Sequence, residues 1–391
     1  MATMKRRDFL QLLGSVPLAA SLPSGAAVPN SNRLLVLVYL YGGNDGYNTW
    51  VPYTTPLYYK LRPTIAVPRD AVLKVTDRQG FNPSLAPLVP LLQTRELAVI
   101  QGIGMPDITQ QHYRDAERAF TGSDADEFRK DGWVTRALGR RTLDSKAYAD
   151  AVAFGVLDNR ESDPMGPFRG DRMRVVQVHH ASELLEKRRI AECVSETNVP
   201  GEASLKRADG VLPASSLKTV FPTDQFGAAV HAAVELAAAE RTIPVIHVAL
   251  NGADGDKHHS VDCHWEQAKY HGDALKRLGE GLAALRAGLI EIGRWDESLV
   301  ITYDEFGRAP PENEDKGTHH GLATTHFTMG GRVNGGLYGE APPVINIHEI
   351  GGPPPVIDTR QLWSTVVERW WGTDSKGLFA RRYPPLDLIR A

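Results

Sequence analysis

Seven consecutive apolar residues, Leu34-Leu35-Val36-Leu37-Val38-Tyr39-Leu40, make the first strong element of the chain. An unbroken run, as opposed to an alternating one, predicts a strand buried on both faces, as in a parallel sheet. It runs straight into Tyr41-Gly42-Gly43-Asn44-Asp45-Gly46, whose glycines allow a sharp turn and leave Asp45 at the carboxyl end of the strand. Similar short runs recur at Leu97–Ile100, Val175–Val178, Val245–Leu250 and Ser298–Thr302. Helical patterns lie between them, at Gly227–Glu240 and from about Glu266 to Ile292. In the second, Ala274, Leu275, Leu278, Leu282, Leu285 and Leu289 recur every three or four residues as a core-facing stripe. Strands alternating with helices predict an α/β fold with a mainly parallel, layered central sheet and helices on both faces. The stretch 121–217 is more polar and irregular and reads as a cap inserted on that sheet. Pro353-Pro354-Pro355 marks a rigid connection before a last helix around Leu362–Val367.

The N-terminus follows a different pattern. Lys5-Arg6-Arg7, an apolar stretch from Phe9 to Leu22, and Gly25-Ala26-Ala27 form the three parts of an export signal over residues 1–27. Arg6-Arg7-Asp8-Phe9-Leu10 fits the twin-arginine version, which carries folded proteins and implies the twin-arginine translocase as an export partner. The expected mature chain is therefore one α/β domain, 28–391, in the periplasm or outside the cell. The 391 residues carry a formal charge of −3, and losing Lys5, Arg6, Arg7 and Asp8 leaves a body of about −5. An acidic body lacks the basic face that phosphate neutralisation needs, which argues against nucleic acid as a partner. Two cysteines, Cys193 and Cys263, are too few for a disulfide-rich scaffold, although one bridge stays open.

The histidines carry the chemical signal. Eight of the 13 lie between His247 and His326. His247 falls inside a strand and reads as core, but Asp254-Gly255-Asp256-Lys257-His258-His259 directly follows that strand. Asp304-Glu305 and His319-His320 follow the next one. Acids and imidazoles at successive strand ends, on the sheet edge that also carries Asp45, suit a divalent metal such as zinc, manganese or iron. Ordinary solvated loops of His and Asp are the competing reading, since no compact metal motif is present. Ser260-Val261-Asp262-Cys263-His264 contains the ingredients of a nucleophilic triad, but such groups must meet in space, so adjacency in sequence gives it no weight.

Tyr39 to Thr49, Arg62-Pro63-Thr64, Gly132-Trp133, Glu305-Phe306-Gly307-Arg308 and Gly317-Thr318-His319-His320-Gly321 together resemble the domain of unknown function 1501 family. Its members are exported bacterial proteins that look related to the alkaline phosphatase and sulfatase superfamily. The resemblance runs from about Arg33 to Gly372 and implies an alkaline phosphatase-like fold. It also implies a metal set of Asp45, Asp254, His258, Glu305 and His320, with Asp256 and Asp304 as further acids near it. Zinc is the first metal it suggests, with manganese, calcium or magnesium as alternatives. Two positions depart from the family: Asp256 stands where a histidine is common, and His319 where an aspartate is. A third departure is Gln111, which occupies the place of a nucleophilic serine; an amide cannot attack. Thr49, Thr109 and His112 are the remaining weak catalytic candidates.

Arg308 suits an anion through its guanidinium fork, whereas Arg114 reads as a loop tie. Trp363, Trp370 and Trp371 read as core. The activity that the family resemblance implies is metal-dependent hydrolysis of a phosphate or sulfate ester on a small molecule or glycan. The alternative is a non-catalytic periplasmic binding or assembly protein that retains the fold.

Overall fold

A computed structural model describes residues 32–139, 149–155, 165–197, 212, 216–239, 243–250, 260–346 and 351–390. The predicted export signal and the Asp254–His259 stretch lie outside them. Among the described residues the central sheet contains ten strands: β1 Leu34–Leu40, β2 Leu97–Gly104, β3 Ala151–Phe154, β4 Val175–Val178, β5 Val194–Thr197, β6 Val245–Leu250, β7 Ser298–Tyr303, β8 Thr324–Met329, β9 Gly336–Gly339 and β10 Ile357–Asp358. Their order is β9-β2-β8-β7-β1-β6-β3-β4-β5, with β10 also paired to β2. β1 pairs in parallel with β7 on one side, Leu34 opposite Ser298, and with β6 on the other, Leu35 opposite Val245. Only β8 and the edge strand β5 run against the rest. This is the mainly parallel, layered α/β architecture that the apolar runs predict.

β1 shows why its run is unbroken. Leu34, Val36, Val38 and Leu40 enter one core, while Leu35, Leu37 and Tyr39 enter the other. The first core is closed by α3 Gln225–Ala239 and α4 Gln267–Glu291, the latter through the predicted Ala274-to-Leu289 stripe. The second is closed by α2 Trp133–Leu138 and α5 Thr359–Thr365, with Trp133 stacked on Trp363 at 4.8 Å. The tryptophans of the last helix and the turn after it are fully buried, as core residues should be. A helix layer on each face leaves no face of β1 for water, so alternation has no selective value along it. Among the described residues, no helix is long and apolar enough to cross a membrane.

The stretch 121–217 is different from its expectation as a cap. Its described residues supply β3, β4 and β5 to the central sheet, β3 lying directly against β6. β4 is the predicted Val175–Val178 run; β3 and β5 are equally short and carry fewer large apolar residues, so they barely stand out among polar connections. Both cysteines are free; Cys263 is buried, and burial pushes its thiol up to about 12.

Two buried histidines are expected to make the fold acid-sensitive. His247 on β6 shares a 2.8 Å hydrogen bond with the Tyr303 hydroxyl, and its Nδ1 has no partner. Burial pushes its pKa down to about 3. His271 on α4 sits 3.0 Å from Asn44 Oδ1, and burial, only partly offset by Asp45, pushes it down to about 4. Both are neutral in the folded chain and protonated in the unfolded chain below about pH 6.5. The unfolded state therefore binds more protons between the folded values and pH 6.5, and stability falls as pH drops through that window. Each histidine contributes a slope approaching about 1.4 kcal/mol per pH unit. Denaturant unfolding from pH 7 to 4.5 is expected to show this loss, and His247→Phe to remove about one proton's share of the slope.

Candidate metal centre

The site is built on the turn that ends β1. Gly42 and Gly43 adopt φ of +109° and +85°, and a Cβ on Gly42 would lie 2.3 Å from the Asp262 Cβ, so only glycine lets the two segments meet. Two side chains from beyond β7 clamp this turn. Glu305 Oε1 accepts the Gly42 N–H at 3.0 Å, and its Oε2 accepts the Tyr39 hydroxyl at 2.9 Å. Arg308 donates to the Gly42 and Gly43 carbonyls, the latter at 3.0 Å. Each then reaches a further segment: Glu305 takes His112 Nδ1 at 2.8 Å, and Arg308 takes Asp262 Oδ1 at 2.5 Å.

His112 is the first residue of α1, His112–Thr121. The approach to that helix is folded by Asp115, whose carboxylate accepts the Thr109 and Gln110 N–H groups at 2.9 and 2.8 Å. Gln110, at φ +64°, turns its carbonyl onto His320 Nδ1 at 2.8 Å. His320 itself sits on a two-stranded ribbon, Gly307–Arg308 against His320–Gly321, directly opposite Arg308. Asp262 and His264 come from the bent approach to α4, where the Cys263 N–H donates to the Val261 carbonyl at 2.9 Å.

These four side chains converge. One ligand atom from each of His112, Asp262, His264 and His320 falls in a group within 4.8 Å of one another. His264 Nε2 lies 3.0 Å from His320 Nε2 and 3.1 Å from Asp262 Oδ1, and His112 Nε2 is 3.6 Å from Asp262 Oδ2. The outer nitrogens fix the tautomers: His112 Nδ1 donates to Glu305 and His320 Nδ1 to a carbonyl, so both Nε2 atoms turn lone pairs inward. Phe306 covers the imidazoles, its ring 4.3 Å from that of His320 and 4.9 Å from that of His112. The Asp262 and His264 side chains are the partly exposed flank of the cluster, at 27% and 32%.

The electrostatics follow from this packing. Burial, then the nearby Arg308 and His112, push the His320 pKa down to about 3, keeping it a neutral donor of electrons. Burial would lower His112 too, but its bond to Glu305 and that carboxylate's charge outweigh it and raise the pKa. Burial would raise Asp262, but His264 and Arg308 prevail and hold its carboxyl well below the usual range.

Of the residues expected from the sequence, His320 is in the cluster, and so is His112, a weak catalytic candidate. Glu305 stands one shell behind His112. Asp45 is elsewhere: it caps the turn Gly46–Thr49, accepts from Gln267, and holds Arg62 in a buried ion pair at 2.5 Å. Asp304 pairs with His326 at 2.9 Å. Asp254, Asp256 and His258 lie outside the described residues. Arg308 departs from its expected anion role because its side chain is buried and its donors are occupied by Gly42, Gly43, Thr318 and Asp262, with His264 Nε2 at 3.4 Å. Arg114 is a loop tie, donating to the carbonyls of Asp124, Ala125 and Glu127. Thr49 is buried and donates to Asn44 Oδ1 at 2.9 Å, while Thr109 Oγ1 accepts the Gln111 N–H at 3.4 Å in a local turn. Asp262 and His264 come from the pentapeptide that adjacency alone had discounted. Their signal is an Asp-x-His spacing in a short segment just before a helix.

The profile of the family described as "Protein of unknown function (DUF1501)" matches residues 177–376, just over half of the chain. No curated protein sequence matches it. Solved structures with a similar arrangement of elements include the lipoteichoic acid synthase LtaP from Listeria monocytogenes, at 10% identity over 92% of this chain and 76% of that one, TM-score 0.39. A protein in the alkaline phosphatase superfamily from Vibrio parahaemolyticus matches at 11% identity over 88% and 68%, TM-score 0.42. The sulfatase PsFucS1 from Pseudoalteromonas sp. matches at 12% over 91% and 70%, TM-score 0.37.

Proposed function

The chain belongs to the DUF1501 family, and for this member we propose a divalent transition-metal centre at His112, Asp262, His264 and His320 that hydrolyses an ester. The observation that carries the reading is the pair of imidazole Nε2 atoms facing each other at 3.0 Å beside the Asp262 carboxylate. Lone pairs brought together in this way need a cation between them or a proton shared among them. The donor set fits a metal: ligands 2.0–2.1 Å from a tetrahedral ion lie about 3.3 Å apart, and the close contacts here bracket that spacing. Three nitrogens and one carboxylate favour zinc, with manganese or iron next, over calcium or magnesium, which prefer oxygen.

When bound, such an ion supplies Lewis acidity and an activated water at neutral pH. The protein's part is to hold Nε2 of His112 and His320 inward, to keep Asp262 ionised through Arg308, and to leave the Asp262–His264 flank open to substrate. A water nucleophile suits a site where Gln111 replaces the expected serine. A phosphate or sulfate ester of a small molecule or glycan is the substrate class to test, with the metal inserted before export by the twin-arginine route to the periplasm. The occupied donors of Arg308 favour a second reading, a metal-holding protein that binds without turnover.

Metal analysis of the folded chain, with a panel of phosphate and sulfate esters assayed under zinc, manganese, magnesium and calcium, tests both. About one transition metal per chain and metal-dependent turnover, both lost in Asp262→Ala, are expected. Bound metal without turnover selects the second reading, and absence of tight metal binding rejects both.

A further inference from the structure

Glu305 stands at the hub of the site without belonging to the four-ligand cluster. Its carboxylate receives three donors from two parts of the chain: from β1 and its turn the Tyr39 hydroxyl at 2.9 Å and the Gly42 amide at 3.0 Å, and from α1 His112 Nδ1 at 2.8 Å. Glu305 is buried, at 1% relative exposure, and so is Tyr39, whose ring packs 5.0 Å from that of Tyr303. The carboxylate is therefore set in place before any ion arrives, by a strand residue and by the glycine turn.

We infer that Glu305 is a positioning residue that fixes His112 as its Nδ1–H tautomer and presents Nε2 to the metal. This rests on the metal-centre reading above. A neutral imidazole has one N–H, and the buried carboxylate claims it, so the other nitrogen is left as a bare acceptor facing Asp262. The negative charge behind the ring also makes Nε2 a stronger donor of electrons. Removing such an outer partner typically costs 10–100-fold in metal affinity. Tyr39 serves the same end one bond further out, by holding the second oxygen so that the first stays on the ring. The family resemblance made Glu305 a ligand; its three hydrogen bonds place it behind one.

The Glu305→Gln variant isolates the effect, since its amide oxygen can still accept from His112 and Gly42 but carries no charge. Two measurements on the full chain decide the matter. Nitrogen-15 NMR of the metal-free wild type at pH 8, assigned against His112→Gln, is expected to show His112 protonated at Nδ1; protonation at Nε2 overturns the inference whether or not a metal binds. Competition titration with zinc and with cobalt(II), whose absorption spectrum reports ligand geometry, is expected to show at least tenfold weaker binding and an altered cobalt spectrum in Glu305→Gln. A loss smaller than tenfold in a folded variant overturns the inference while leaving the metal centre standing. Should that variant fail to fold, Tyr39→Phe takes its place with threefold as the dividing line. A wild type that binds neither ion tightly removes the metal-centre reading itself, and the inferred role in metal binding with it.

Discussion

Alanine in place of His320 is expected to abolish tight metal binding, with a loss of more than a hundredfold, beyond the range of an outer-sphere change. The side chain contributes the Nε2 atom that faces His264 at 3.0 Å, and its ring is oriented by the Gln110 carbonyl from the opposite side. Without it, three ligands remain, and His264 and Asp262 can satisfy each other through a single proton. The fold should tolerate the change, because His320 is on a short ribbon and lies outside the hydrophobic cores. Metal-free stability should even hold better in acid. With its pKa pushed down to about 3, the folded His320 resists a proton that the unfolded chain takes up below about pH 6.5. His319→Ala is the control: its backbone carbonyl accepts the Ala309 N–H at 2.9 Å, a bond the substitution keeps, and it lies outside the cluster. Metal content and zinc competition on both variants check this; equal loss in the two, or in neither, removes His320 from the centre.

Asp45→Ala is expected to act on stability. Arg62 is fully buried, and Asp45 meets it with both oxygens, at 2.5 and 3.2 Å. The rest of that guanidinium is held by Asn48 Oδ1 at 2.8 Å and the carbonyls of Ala309 and Pro310 at 2.9 and 2.6 Å. Deleting the carboxylate leaves a buried cation without its counter-charge, which costs roughly 3–5 kcal/mol. Burial would raise the Asp45 pKa, but Arg62 and His271 outweigh it and hold it below the usual value. Its contribution is thus present above the unfolded carboxylate value near pH 3.9, and is lost only as pH falls through the lower folded value. The destabilisation should be the same at pH 6 and pH 8. Denaturant unfolding measures it, and zinc binding to the folded fraction should match wild type. Lost binding in a chain that remains folded would return Asp45 to the ligand set. Asp45→Asn, which keeps the shape and one acceptor, should cost less and serves if the alanine variant does not fold.

How legible the protein was depends on the range over which each feature is decided. β1, β4 and β6 are readable because a strand buried on both faces is mostly apolar, Gln177 in β4 and His247 in β6 being single exceptions. The α4 stripe is readable because one helix face repeats every three or four residues. The tryptophans at 363, 370 and 371 read correctly as core for the same reason. β3 and β5 are as short as β4 but carry less apolar signal: β3, Ala151-Val152-Ala153-Phe154, is half alanine, and β5, Val194-Ser195-Glu196-Thr197, has one apolar residue. At the site, the crowding of histidines between His247 and His326 covered His264 and His320 but not His112, and could not choose among their neighbours. Asp45 shows why: a strand-end aspartate has the same local sequence whether it faces a metal or an arginine. The choice is made by Arg62, Asn48 and Gln267, which reach it from other segments.

The sequence by itself determined a layered, mainly parallel sheet, because burial on each strand face is written in consecutive side chains. It also determined a supply of imidazoles and carboxylates after the strands, enough for a metal. Only the tertiary structure decided which of them meet. The Gly42-Gly43 turn brings Glu305 and Arg308 to its two sides, and they deliver His112 and Asp262 to the place where His264 and His320 already converge. That selection rests on distances across four separate segments, and no local pattern of residues contains a distance.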